Sequence, residues 1–146
     1  MLEGFDASSL ISYGSTDAAH EILVFTDTDC GFCRRLHQMI DDYLAAGIAI
    51  RYAAFPRAGI GSSTYDDLVS VWCADDATRA MDLAQLGRGI QARQCDAPVQ
   101  SHYELGRKMG VTGTPFMVTA NGEVITGIIQ PRELRVHLDQ VAANGP

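Results

Sequence analysis

The amino-acid sequence predicts an α/β fold, a central mixed sheet flanked by helices and carrying a helical insertion, and three observations support it. A run over residues 21–26, continuously apolar in its centre, leads into two cysteines at C-x-x-C spacing and then into a helical pattern. A second strand-like segment follows that helix, which makes a β-α-β unit. Near the C-terminus two short β-prone runs flank Asn121-Gly122, a strong hairpin signal.

The elements follow in order. After a polar start containing Gly4 and Gly14, Ile22-Leu23-Val24-Phe25 has no polar alternation, as expected of a strand covered on both faces. Cys33, Leu36, Met39, Ile40, Tyr43 and Leu44 recur at steps of three and four and Gly47 follows, which predicts a helix over residues 31–46. Ile48, Ile50 and Tyr52 alternate with smaller or charged residues until Pro56, a strand parallel to the first through the crossover helix. Residues 57–97 turn helical, with Tyr65, Leu68, Val69 and Trp72 on one face, Met81, Ala84 and Leu86 on another, and Asp75-Asp76 as a cap between them. Pro98 opens a helix through Val99, Tyr103 and Met109 that Gly110 terminates, and Pro131 opens a last helix bearing Leu134, Leu138 and Val141. The expected order is β-α-β, helices, then β-β-α, without internal repeats or low-complexity tracts.

Size and composition bound the function. A chain of 146 residues fits one domain, 1–146, and can bury a sufficient core. Its 47% apolar and 20% charged residues are those of an ordinary folded protein. A formal charge of −7 with no clustered Lys or Arg argues against a nucleic-acid surface. No apolar run reaches the roughly 18 residues of a membrane helix, and the first residues lack the basic and apolar regions of a signal peptide. An exported protein would therefore carry this stretch in mature or truncated form.

Four cysteines stand at 30, 33, 73 and 95. The close pair reads as redox or metal chemistry. A bridge between Cys73 and Cys95 would close a loop worth about 3 kcal/mol and would persist only in an oxidising compartment, which points to the periplasm or the exterior. Disulfide exchange needs one thiolate to attack and a second thiol to release the mixed disulfide, and C-G-F-C supplies both. Cys30 falls at the first helical turn, where unpaired N–H groups and the helix dipole favour an anion, so it is the expected exposed nucleophile. Cys33, on the face of Leu36 and Ile40, is the expected shielded resolving thiol. Asp27 and Asp29 oppose ionisation of Cys30; Arg34, Arg35 and His37 could offset them, although a solvated helix face is the plainer account of those three. Gly113-Thr114-Pro115 stands just before the strand at Phe116, and base rates favour a trans proline there.

These residues carry a resemblance. V-F-T-D-T-D-C-G-F-C-R-R-L-H, I-R-Y-A-A-F-P-R, V-W-C-A-D-D, the C-D at Cys95, H-Y-E-L-G and G-V-T-G-T-P resemble, in order and spacing, the catalytic domain of the bacterial periplasmic disulfide isomerases DsbC and DsbG. Coverage runs over residues 9–141. The resemblance implies a thioredoxin-like fold and a disulfide isomerase or reductase acting on misoxidised exported proteins. It implies that Cys30 attacks, that Cys33 resolves, and that Pro115 is a cis-proline facing the active disulfide. Thr114 would pair with bound peptide, Cys73 and Cys95 would form a structural disulfide, and a DsbD-like membrane reductant would restore the dithiol. No cofactor and no metal are expected. Such proteins carry an N-terminal dimerisation domain and linker helix, for which this chain has no room. Residues 1–19 are therefore read as a linker remnant plus a strand near residues 10–13, residues 57–97 as the helical insertion, and a dimer is expected only with the missing domain. Asp29 is a second departure, where a neutral residue is expected.

Three other readings fit parts of the pattern: a monomeric disulfide oxidase, a zinc module using all four cysteines, and a chaperone-like binder with idle cysteines. Trp72 reads as a core aromatic packed on a disulfide rather than a substrate contact, Tyr52 and Phe55 fit a substrate-lining surface and a buried strand equally, and Met109 and Met117 read as core filler. His20, His102 and His137 suggest no metal constellation.

Overall fold

The β2 register explains the unbroken apolar run. In the computed structural model, which describes residues 6–144, strand β2 (His20–Thr26) is the middle of a five-stranded sheet. Strands β1 (Ile11–Tyr13), β3 (Ile48–Ala54), β4 (Phe116–Thr119) and β5 (Val124–Thr126) complete it in the order β1-β3-β2-β4-β5. β2 runs parallel to β3 with Val24 opposite Tyr52, and antiparallel to β4 with Val24 opposite Met117. β1 and β5 pair antiparallel on the two edges. Successive side chains of a strand point to opposite faces. Ile22 and Val24 therefore enter a core with Ile50, Tyr52, Met81 and Leu134, while Leu23 and Phe25 enter a second core with Phe55, Val111 and Phe116. Residues 22–25 are all 0% exposed, and burying each such side chain is worth roughly 1.5–3 kcal/mol.

Among the described residues six α-helices cover the two faces: α1 (Gly31–Gln38), α2 (Ile40–Ala45), α3 (Ser63–Trp72), α4 (Ala77–Gln85), α5 (Val99–Lys108) and α6 (Pro131–Asn144). Leu36, Ile40, Tyr43, Met81, Leu134 and Leu138 bring α1, α2, α4 and α6 onto the first core. α5 presses on the second core, where Gly106 lets the backbone approach Phe25 and Phe55; a Cβ there would lie 2.8 Å from Phe55 Cδ1. Asp76 caps α4 by accepting from Arg79 N–H at 3.1 Å, the role expected of that acidic pair.

Several local expectations are corrected. The helix over 31–46 is two helices broken at Met39, whose N–H turns to Leu36 O at 2.9 Å in a tighter i−3 turn. Arg51, the charged residue in the β3 alternation, is 6% exposed because its guanidinium donates to the carbonyls of Tyr13, Gly14 and Ser15 at the chain's turn out of β1. Within 57–97 the helical pattern stops at Gln85. The chain then runs without helix or strand to α5, turned by Gly87 at φ +74°, and Leu86 is exposed instead of packed. The Asn121-Gly122 hairpin closes through a three-residue loop: Thr119 N–H donates to Glu123 O and Gly122 takes φ +89°. Of residues 1–19, read as linker and strand, the first five lie outside the described residues, and β1 covers 11–13.

Candidate active site

The β2–α1 turn is fixed from below by a buried carboxylate. Asp27, 1% exposed, accepts from Thr28 N–H at 2.8 Å, from Arg57 N–H at 2.9 Å and from Arg57 Nε at 3.1 Å. A charge this buried is tolerated because it is paired and hydrogen-bonded. The contact holds the loop after β3 beside the turn and balances one of the two carboxylates that the sequence places before Cys30. Asp29 stays exposed. Arg57 was not singled out for this role by the sequence reading; it stands thirty positions from Asp27 and its only mark was the F-P-R stretch.

Cys30 is the N-cap of α1, with extended backbone at φ −153° and ψ 111°. Its Sγ accepts from Cys33 N–H at 3.2 Å, one of the donors that a helix start leaves without an intrahelical partner. Thr114 Oγ1 donates to the same sulfur at 3.3 Å, and Thr114 O lies 3.5 Å away. The Thr114–Pro115 peptide is cis, against the base rate. Cys30 and Cys33 are joined as a disulfide with Cα atoms 5.2 Å apart. Cys33 is 1% exposed; Cys30, expected to be exposed, is only 5% exposed, because Thr114 covers it from the β4 side. Phe32 between them is 60% exposed, with Arg35 Cζ 5.5 Å from its ring centre.

The three basic residues of α1 have different fates. Arg34 Nη2 donates to Thr28 O at 3.2 Å and Arg35 lies over Phe32. His37 is not solvated. Its Nδ1 is 2.9 Å from Tyr52 Oη and its Nε2 is 2.7 Å from Asp82 Oδ1, which Tyr13 Oη also reaches at 2.7 Å. With a carboxylate on one nitrogen, the consistent neutral ring donates from Nε2 to Asp82 and accepts the Tyr52 proton on Nδ1. Burial lowers the His37 pKa, against the opposing pull of Asp82 and Asp41. Burial, then Asp82, raises the Tyr13 phenol, and burial raises Tyr52. This chain of groups ties α1 to α4, β1 and β3. Sequence spacing held no sign of it, because its members come from four elements.

Cys73 and Cys95 are bonded at the end of α3, with Cα atoms 5.7 Å apart. The four cysteines thus stand as two bonded pairs, and among the described residues no three His, Cys, Asp or Glu side chains converge as metal ligands would. Trp72 donates from Nε1 to Ser9 O at 2.8 Å and meets His102 edge-on. His20 pairs with Asp139 and His137 with Glu123, each at 2.7 Å.

A cysteine pair opening the helix that follows the central strand, with a cis-proline loop against its first sulfur, defines a thioredoxin-like domain. The chain belongs to that family, which matches it over residues 8–142. More particularly, it is 44% identical over 131 residues to the thiol:disulfide interchange protein DsbC of Salmonella typhimurium, covering 90% of this chain and 55% of that protein. The DsbC of Escherichia coli K12 is 40% identical over 131 residues, 56% of its length. The chain therefore spans a little over half the length of these relatives. A crystal structure of a disulfide interchange protein from Neisseria gonorrhoeae superposes with a TM-score of 0.78 at 25% identity, covering 91% of this chain and 97% of that one. The catalytic domain of Proteus mirabilis ScsC shares the fold, with a TM-score of 0.72 at 20% identity, covering 92% of this chain and 89% of that one. No helix among the described residues is long and apolar enough to cross a membrane.

Proposed function

We propose that the chain is a thiol–disulfide oxidoreductase domain that isomerises or reduces wrong disulfides in exported proteins. The observation that carries this is the surround of Cys30 Sγ, which takes hydrogen bonds from Cys33 N–H and Thr114 Oγ1 at a helix start. Donors aimed at that sulfur stabilise a thiolate over a thiol.

In the reduced protein Cys30 attacks one sulfur of a substrate disulfide, forming a mixed disulfide and releasing the other substrate sulfur as a thiolate. That thiolate can attack elsewhere in the substrate, which rearranges its bonds and frees Cys30. Alternatively Cys33 attacks Cys30 Sγ, closing the Cys30–Cys33 bond and releasing reduced substrate. The shielding of Cys33 suits a thiol that acts second. Thr114, just ahead of β4, is suited to pair with an extended substrate backbone, and Pro115 keeps that loop against the disulfide. Cys73 and Cys95 hold the irregular run after α4 to α3.

The domain's place in the cell follows the same reading. The second disulfide suits the periplasm, a DsbD-like membrane reductant would return the active pair to the dithiol, and dimerisation would come from an N-terminal domain like that implied by the longer relatives. The test is reactivation of scrambled ribonuclease by catalytic amounts of the chain in a glutathione buffer. Recovery well above buffer supports isomerisation. No recovery, alongside active dithiol exchange, refutes isomerisation by this domain and leaves a reductase or oxidase.

A further inference from the structure

A hollow of about 310 Å³ opens beside the β2–α1 turn, near the lower end of the size range of small-molecule sites. Its wall starts at the motif itself: Thr28 and Asp29 immediately precede Cys30, and Arg34 lies one helical turn after it. Asp67 of α3 and Arg88 of the run after α4 complete its charged lining. Thr114 is not part of it, so it is separate from the loop that faces the Cys30 sulfur.

Two observations mark this wall as incomplete. Thr28 is 6% exposed, and its Oγ1 and Arg34 Nε are closed off without a hydrogen-bond partner among the described residues. Neither Arg34, Arg88, Asp29 nor Asp67 makes an ion pair among the described residues. The Arg34 guanidinium is nevertheless anchored, donating to Thr28 O at 3.2 Å. A guanidinium anchored by one carbonyl, with no carboxylate paired to it among the described residues, fits an acceptor oxygen, best a carboxylate.

A simple anion is a poor match, because Asp29 and Asp67 share the lining and Asp66 adjoins them. Burial first, then the neighbouring Asp66 and Asp27 carboxylates, raises the Asp67 carboxyl, so a further negative charge beside it is opposed. A group carrying carboxylate and ammonium together satisfies both sides. We propose that this hollow is a subsite for the α-amino-acid end of a small disulfide, either the γ-glutamyl group of glutathione disulfide or cystine, while its sulfur reacts at Cys30. The proposal rests on Cys30 being the attacking sulfur. In the step, reduced Cys30 forms a bond to one glutathione sulfur and expels the other glutathione as thiolate. Cys33 then attacks Cys30 Sγ and expels the second glutathione, so one disulfide is reduced as Cys30–Cys33 is oxidised.

The experiment follows oxidation of the reduced chain by glutathione disulfide, cystine and hydroxyethyl disulfide, which lacks the amino-acid group, by counting remaining thiols. Arg34→Gln should lower the rate with glutathione disulfide relative to hydroxyethyl disulfide about tenfold, the effect of one charge-assisted hydrogen bond. Asp67→Asn, at an exposed site outside the core, should lower the same ratio. Arg35→Gln removes the same charge outside the hollow and should leave the ratio alone. Loss with glutathione disulfide only identifies the γ-glutamyl group; loss with cystine only identifies the amino-acid group next to the sulfur. An unchanged ratio in Arg34→Gln, or an equal fall in Arg35→Gln, overturns the subsite while leaving exchange at Cys30 intact. If no disulfide oxidises the protein, the exchange reading itself fails.

Discussion

His102 makes the stability of this protein depend on acid in a way that can be calculated. The ring is 2% exposed; its Nδ1 accepts from Ala54 N–H at 3.1 Å and its Nε2 stands 2.9 Å from Ser9 Oγ. Burial lowers its pKa from 6.5 to about 4, and the Ala54 N–H donating to Nδ1 leaves no room there for a second ring proton. The sign follows from which state binds the proton. The unfolded chain takes it up near the ordinary value, whereas the folded chain takes it up only near 4. The contribution is therefore fully present above pH 6.5 and is lost as pH falls from there to about 4. At about 1.4 kcal/mol per tenfold change in proton affinity, that loss is ~3 kcal/mol, a large share of a typical folding free energy. The perturbation is His102→Asn, which keeps an acceptor for Ala54 N–H and removes the titration. Urea unfolding of both oxidised proteins from pH 7 to pH 4 gives the comparison. The variant should be the less stable at pH 7, because the ring's packing on Trp72 and its Ser9 contact are lost, and the gap should shrink by ~3 kcal/mol by pH 4. A gap that does not change with pH would refute the assignment.

Three further outcomes are expected. Cys33→Ser should accumulate mixed disulfides with substrate, visible by mass spectrometry, whereas Cys30→Ser should lose exchange altogether; trapping by the Cys30 variant instead would reverse the two roles. Tyr52→Phe leaves His37 Nδ1 without its donor in a buried setting and should cost about 1–3 kcal/mol in urea unfolding at pH 7. Gly106→Ala should destabilise by about 1–3 kcal/mol, because its methyl would meet both Phe25 and Phe55; an unchanged unfolding midpoint would show that these rings have room to move.

The local features legible in sequence are those whose causes are local. The double-sided burial of β2 is visible because both faces of a central strand must be apolar, so Ile22-Leu23-Val24-Phe25 carries no alternation. The start of α1 at the cysteine pair, the Asp76 cap and the hairpin around Gly122 depend on backbone geometry within a few residues, and each left a residue-type signature. The position of Thr114-Pro115 could be marked, but neither its isomer nor its contact with Cys30 follows from local preference, and there only the family resemblance pointed the right way.

Tertiary structure decided what depends on charge pairing across the sheet. Arg51 looks like a surface residue by its type, yet it is buried because three carbonyls at the end of β1 and just beyond it converge on it. Leu86 fits a helix face and is exposed because the helix has already ended. Asp27 meets Arg57, and His37 meets Asp82, Tyr13 and Tyr52, only once β1, β3 and α4 are stacked around α1. Hydrophobic periodicity reports how much of a residue leaves water, whereas a buried polar group is stable only through the particular partners that folding brings to it. The sequence alone determined the strands, every helix start but that of α2, and the C-x-x-C pair; the polar neighbours that surround that pair are a property of the assembled fold.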